Sequence, residues 1–93
     1  MEMRNQHLWD GPDEKETEFA WRATKFAGRW KIHRIDDVGR GPEWVEIKSP
    51  HSSILEQLRG VLFRKYQRRR VPYEDVTHIE RLRDDALSHE NPE

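Results

Sequence analysis

The chain has 93 residues, of which 38% are charged and 33% hydrophobic, and its net charge at pH 7 is -1. A chain of this length buries only about 60 to 65% of its unfolded surface, so one small core is expected. The absence of cysteine excludes disulfides and thiolate metal sites and favours a cytoplasmic location. Because the sequence has neither a run of about 18 apolar residues nor the apolar stretch of a signal peptide, no membrane span and no export are expected.

The charges are segregated along the chain. Residues 21–70 carry 13 basic and 5 acidic groups. Residues 1–20 carry 2 basic and 6 acidic groups, and residues 71–93 carry 2 basic and 7 acidic groups. The sequence therefore has a basic middle between acidic ends, which the net charge conceals.

Residues 1–15 are predicted to form a polar N-terminal tail, because they show no hydrophobic periodicity and contain the turn-forming pair Gly11-Pro12. Trp9 is the exception in this segment. An isolated aromatic side chain more often covers an edge of its own core than binds a partner, and this is the role expected for Trp9.

Alternating residues on either side of Ala27-Gly28 predict a β-hairpin between about residues 18 and 35. With this pair as a two-residue turn, Ala23 pairs with Ile32 and Trp21 pairs with Arg34. One face of the hairpin would then carry four side chains, those of Trp21, Ala23, Trp30 and Ile32.

A helix from Pro12 to Ala27 is the competing interpretation of the same segment. Proline and acidic residues in a first turn, apolar residues at helical spacing and Gly28 as a stop signal all fit it. The hairpin is the preferred alternative.

After a loop over residues 36–42, residues 43–48 predict a third strand that begins after a proline. Val45 and Ile47 would share one face of this strand. Trp44 would point to the other face, either to a second layer or to solvent.

Two amphipathic helices are predicted in the C-terminal half. The first covers about Ser52 to Gln67, with Ser52 or Ser53 as its N-cap and with Leu58 and Leu62 buried. The second covers about residues 72–87, since Pro72 suits a first helical position and acidic residues follow it. Its apolar side would be formed by Val76, Ile79, Ala86 and Leu87.

The predicted fold is a single α+β domain over residues 16–88. In it a small antiparallel meander of three strands is followed by the two amphipathic helices, packed on one face of the sheet. Residues 89–93 are predicted to be an acidic C-terminal tail.

Residues 59–70 are the most distinctive segment, with six basic residues interleaved with two aromatic ones. Arginine binds phosphates through its planar fork and aromatic rings stack on bases, so this segment is a candidate nucleic-acid surface. Arg22 and Lys31 would extend it from the outward face of the hairpin. The candidate residues in the segment itself are Arg59, Arg64, Lys65, Arg68, Arg69 and Arg70.

A structural role for the same cations is the alternative. Cations near the end of a helix complement its dipole, and the acidic second helix offers them partners in the same molecule. On a helical wheel, Arg64 and Arg68 flank one side of the apolar arc, whereas Arg59 and Arg70 flank the other, so the segment forms no single basic stripe.

Signals for catalysis or for a metal are weak. No two of the five histidines have the three- or four-residue spacing that places two imidazoles on one helix face, so neither a metal nor a cofactor is expected. Ser52 and Ser53 adjoin His51, but no glycine-rich elbow surrounds them, and helix capping explains them better.

The preferred functional interpretation is a small non-enzymatic module that binds another protein or acts as an accessory domain, since several large aromatic residues suit such a surface. A nucleic-acid-binding module that uses residues 59–70 is the alternative. An enzyme with an unrecognised site is the second alternative.

Overall fold

The computed structural model describes residues 6–37 and 39–90, which form strands followed by helices. The strands are β1 (Gln6–Pro12), β2 (Glu18–Phe26), β3 (Arg29–Asp37) and β4 (Pro42–Ile47). The helices are α1 (Ser52–Gln67) and α2 (Tyr73–Glu90). Two compact units divide the chain: Met1–Lys48 holds the strands and Ser49–Glu93 holds the helices. The α+β class is confirmed.

The strands form one antiparallel sheet in the order β1-β2-β3-β4. This is the predicted meander, but it has four strands in the described residues instead of three. The additional strand, β1, lies in the segment for which we predicted a polar tail, and that prediction is wrong for Gln6–Pro12.

Cross-strand contacts explain why β1 forms despite its polar composition. Trp9 lies opposite Trp21 of β2, and the two indole rings stack with their centroids 6.2 Å apart. The buried indole N–H of Trp21 donates to the carbonyl oxygen of Gly11 at 2.9 Å. A buried N–H without an acceptor would destabilise the fold, so the acceptor that β1 supplies to Trp21 favours the pairing of β1 with β2.

The predicted hairpin is confirmed together with its register, and the alternative helix from Pro12 to Ala27 is wrong. Ala23 pairs with Ile32, and Trp21 pairs with Arg34. Ala27 and Gly28 both have positive φ, at 53° and 76°, as a type I′ turn requires at its two central positions.

The third predicted strand is β4, which begins one residue earlier and ends one residue earlier than expected. Val45 lies opposite Arg34 and Ile47 opposite Ile32, so the two apolar residues share one face of the sheet. Trp44 is on the other face, as predicted.

The first helix has the predicted bounds, whereas the second differs at both ends. α2 begins at Tyr73, one residue after Pro72, and continues to Glu90. The acidic tail predicted for residues 89–93 is therefore wrong for residues 89 and 90, and residues 91–93 lie outside the described part of the chain.

α1 and α2 form an antiparallel helical hairpin. Glu56 of α1 contacts Arg83 of α2, and the first turn of α1 contacts the last turn of α2. Leu58 and Leu62 have no exposed surface, which confirms their predicted burial. Val76 and Ile79 of the predicted apolar side are buried as well, but Leu87 is 42% exposed. None of the helices in the described ranges is long and apolar enough to cross a membrane.

Candidate nucleic-acid interface

The end of α1 projects three consecutive arginines. The backbone N–H of Arg70 donates to the carbonyl oxygen of Lys65, and that of Arg69 donates to the carbonyl oxygen of Tyr66, both at 2.8 Å. These two bonds make a Schellman motif, in which the residue at C′ adopts a left-handed conformation. Here that residue is Arg69, with φ of 61°. The motif ends the helix and turns the three arginines outward.

The structure separates Arg59 from the rest of the predicted basic segment. Its guanidinium contacts Glu56 at 3.2 Å and Glu80 of α2 at 3.6 Å. Burial raises the pKa of the Glu56 carboxyl, but hydrogen bonds from Arg83 and Arg59 outweigh it and lower that pKa overall. Arg59 therefore has acidic partners on both helices, as the structural alternative predicted for the cations of this segment.

The three arginines at the end of α1 are exposed, and none of them forms an ion pair with a described residue. The acidic residues in the first turn of α2, Glu74 and Asp75, form no ion pair with them. Arg64 is exposed too and forms no ion pair with a described residue, but it lies one turn before Arg68 on α1 and outside the turn over residues 68–72.

Lys65 is half-buried in the last turn of α1. Burial lowers the pKa of its ammonium group, and the charge of Arg70 lowers that pKa further.

Aromatic rings adjoin the arginines. The rings of Tyr66 and Tyr73 lie with their centroids 5.0 Å apart, and 39% and 48% of these residues are exposed. Phe63 extends the group, with its centroid 6.2 Å from that of Tyr66. An open depression of about 390 Å³ is lined by Tyr66, Arg69, Arg70, Val71 and Pro72.

We call the residues Tyr66, Arg68, Arg69, Arg70 and Tyr73 the arginine–tyrosine surface. Tyr73 was missed in the sequence, because it belongs to the next helix and only the turn over residues 68–72 brings it back to Tyr66. A tyrosine directly after Pro72 is the only local signal that could have indicated it.

The two predicted extensions, Arg22 and Lys31, lie on the sheet. Lys31 is exposed, whereas the guanidinium of Arg22 lies over the ring of Trp44 at 4.6 Å from its centroid. Such a cation–π contact occupies both partners. Arg22 and Lys31 belong to the Met1–Lys48 unit, separate from the unit that carries the arginine–tyrosine surface.

His33 lies directly opposite Arg22 in the sheet. Burial lowers the pKa of its imidazole, the charges of Arg22 and Lys31 lower it further, and Glu46 opposes them. His33 therefore adds no positive charge to this face at neutral pH, which weakens the sheet as an anion-binding surface.

A serine, a histidine and a glutamate meet at the start of α1. Nδ1 of His51 lies 3.1 Å from the hydroxyl of Ser53, and Nε2 lies 3.4 Å from the carboxylate of Glu90. The backbone N–H of Ser53 also donates to Nδ1 at 3.1 Å. His51 is thus the N-cap, which corrects the assignment of Ser52 or Ser53 to that position.

This arrangement resembles a catalytic triad in distance but lacks the rest of an acyl-transfer site. Each backbone N–H of the first turn already has an acceptor: Ser52 donates to Glu90, Ser53 to His51, and Ile54 and Leu55 to the His51 carbonyl. No free pair of N–H groups remains for an oxyanion. The contacts therefore account for a helix cap.

Among the described residues, no group of three or more histidine, aspartate or glutamate side chains is arranged to hold a metal ion. No protein-family model matches the chain, and no curated protein or solved structure matches it.

Proposed function

We propose that the chain is a small non-enzymatic binding module whose ligand is a nucleic acid, held at the arginine–tyrosine surface. One observation carries the proposal: Arg68, Arg69 and Arg70 are exposed and make no ion pair with described residues, beside two exposed tyrosines. Guanidinium groups bind phosphate oxygens bidentately, and aromatic rings accept any base by stacking.

The contrast with the other arginines of the helical unit supports this choice. Arg59 and Arg83 both contact Glu56, and Arg83 also contacts Asp84. Arg64 and Arg81 are exposed without an ion pair to a described residue as well, so the turn differs from the helices in carrying three such arginines in succession. A net positive turn would attract a polyanion and position it.

The test is a binding titration with the variant Arg68→Gln, Arg69→Gln and Arg70→Gln in one chain. Labelled DNA and RNA oligonucleotides are titrated at low and at moderate salt. The variant should bind more weakly, and the slope of log K against log salt should fall by about 0.7 to 0.9 for each lost phosphate contact.

The matched control replaces three other exposed arginines, Arg29, Arg40 and Arg81, by glutamine. It removes the same charge from other elements, so it should retain most of the affinity. Urea unfolding of both variants shows whether they fold. No binding by the wild type at low salt, or an equal loss in both variants, would contradict the proposal.

A protein partner is the second proposal, and one observation favours it. Phe26 is 81% exposed and Leu8 61% exposed, and both lie on the sheet face that carries Arg22. Exposed apolar side chains of this size suit a protein interface. Pull-down with and without nuclease separates the two: a partner retained after nuclease and lost in Phe26→Ser supports a protein interface.

A further inference from the structure

The left-handed position at the end of α1 is occupied by a residue that is poorly suited to it. Glycine is the usual residue at C′ of a Schellman motif, because a side chain with a Cβ is strained at positive φ. Here the position is taken by Arg69, with φ of 61°. A charged residue with a Cβ therefore adopts a left-handed backbone conformation that glycine would adopt without strain. Backbone strain of this kind is a recurrent feature of binding sites.

Arg69 also lines the depression beside the tyrosines. Arg70 lines it from the same turn, and Tyr66, Val71 and Pro72 complete it. The depression, of about 390 Å³, is open to solvent, so a ligand would rest against its surface without being enclosed. The lining combines an aromatic ring, apolar atoms and two guanidinium groups, which together can contact the base and the phosphates of one nucleotide.

We infer that the depression takes one unstacked base of single-stranded DNA or RNA, stacked on Tyr66, with Arg69 and Arg70 on the adjacent phosphates. This inference rests on the proposed function and specifies that the nucleic acid is single-stranded. Bases in a duplex are already stacked on both faces, so only a single strand offers a free base to an aromatic ring.

Two variants separate stacking from charge. Tyr66→Leu removes the stacking ring and keeps every charge, so single-strand affinity should fall by about 5- to 150-fold while the salt dependence stays the same. Tyr66→Phe keeps the ring and should bind like the wild type. Phe26→Leu removes an exposed aromatic ring of the sheet and should also have no effect.

The variant Arg69→Gly tests the role of the strained residue without changing Tyr66. It removes both the backbone strain at positive φ and one proposed phosphate contact. The variant should unfold at a higher urea concentration than the wild type and yet bind a single strand more weakly, with a smaller salt dependence. A variant that is more stable and binds as well as the wild type would overturn the role of Arg69.

The experiment titrates each protein with a single-stranded DNA, a single-stranded RNA and a duplex of equal length. We expect both single strands to bind more tightly than the duplex, and the DNA and RNA affinities identify which is preferred. Equal affinity for the duplex with no effect of Tyr66→Leu overturns this inference but leaves the proposed function standing if the triple arginine variant loses binding. No binding of any oligonucleotide overturns both.

Discussion

Ser52 and Glu90 are 38 residues apart, yet they hold the two ends of the helical hairpin together. The backbone N–H of Ser52 donates to Glu90 at 2.8 Å, and its hydroxyl donates to the same carboxylate at 2.7 Å. His51 completes the cap from the other side. One carboxylate at the end of α2 therefore satisfies two donors at the start of α1.

The first prediction is that Glu90→Gln lowers stability at neutral pH and reduces the sensitivity of the helices to acid. Hydrogen bonds from Ser52 lower the pKa of Glu90 despite the opposing effect of burial, and the charge of His51 adds to the shift. Because this pKa is lower in the folded state, the ionised carboxylate stabilises the protein at pH values above the ordinary pKa of 4.5. This contribution to stability is lost as the pH falls through the lowered pKa.

Thermal unfolding of Glu90→Gln, followed across the acid range, measures this effect. The control is Glu14→Gln, which removes the same charge from an exposed turn residue. The melting temperatures of Glu90→Gln and the wild type should converge at low pH. A constant difference at every pH would contradict the role of the ionised carboxylate.

A second prediction concerns the helical core. Leu62→Ala should cost about 2 to 5 kcal/mol, because the side chain has no exposed surface and its removal leaves a cavity. Leu87→Ala is the matched control and should cost much less, since Leu87 is 42% exposed. Urea unfolding followed by ellipticity measures both, and a loss below about 1 kcal/mol for Leu62→Ala would show that it does not pack in the main core.

At the scale of elements, the β2–β3 hairpin depends on a turn whose two residues are unequally suited to it. Gly28 adopts positive φ without strain, whereas Ala27 carries a Cβ at φ of 53°. A Cβ added at Gly28 would meet no atom within 4 Å. At Gly28, the energetic difference between residues is therefore conformational and not a matter of packing.

The third prediction is that Ala27→Asn stabilises the protein by about 0.5 to 1 kcal/mol, because asparagine tolerates the left-handed region and Asn-Gly is the preferred type I′ pair. Gly28→Ala should have the opposite effect and cost about 1 kcal/mol or more. Chemical unfolding of the two variants and the wild type measures these changes in the free energy of unfolding. Changes of the same sign in both would show that the turn does not govern the stability of the hairpin.

At the scale of the whole chain, the aromatic residues report on different units. All four tryptophans lie in Met1–Lys48, and both tyrosines lie in Ser49–Glu93. The indole N–H resonances therefore report on the sheet, and the tyrosine ring resonances report on the arginine–tyrosine surface.

The fourth prediction uses this division. Adding a short single-stranded oligonucleotide should shift the ring resonances of Tyr66 and Tyr73 and leave the indole resonance of Trp44 unchanged. Trp44 is the sensitive control, because the guanidinium of Arg22 lies 4.6 Å from its ring centroid. A shift of Trp44 with no shift of the tyrosines would place the ligand on the sheet, at Arg22 and Lys31.

Local patterns were sufficient for three features of this protein. The β2–β3 hairpin and its register follow from two alternating runs around one turn, because the turn length determines which residues pair. The bounds of α1 and the burial of Leu58 and Leu62 follow from apolar spacing within a single helix. The antiparallel order of the strands follows from short connections.

Contacts between distant segments decided the rest. β1 is a strand because Trp9 and Gly11 contact Trp21, which no pattern within residues 6–12 indicates. The six cations of residues 59–70 look alike in sequence, yet Arg59 is neutralised and the three arginines of the turn are not. The pair of Arg59 with Glu56 follows from spacing within α1, but its second partner, Glu80, is supplied by α2. The register of one helix against another is set by packing of their side chains, which is not encoded in the spacing of either helix alone.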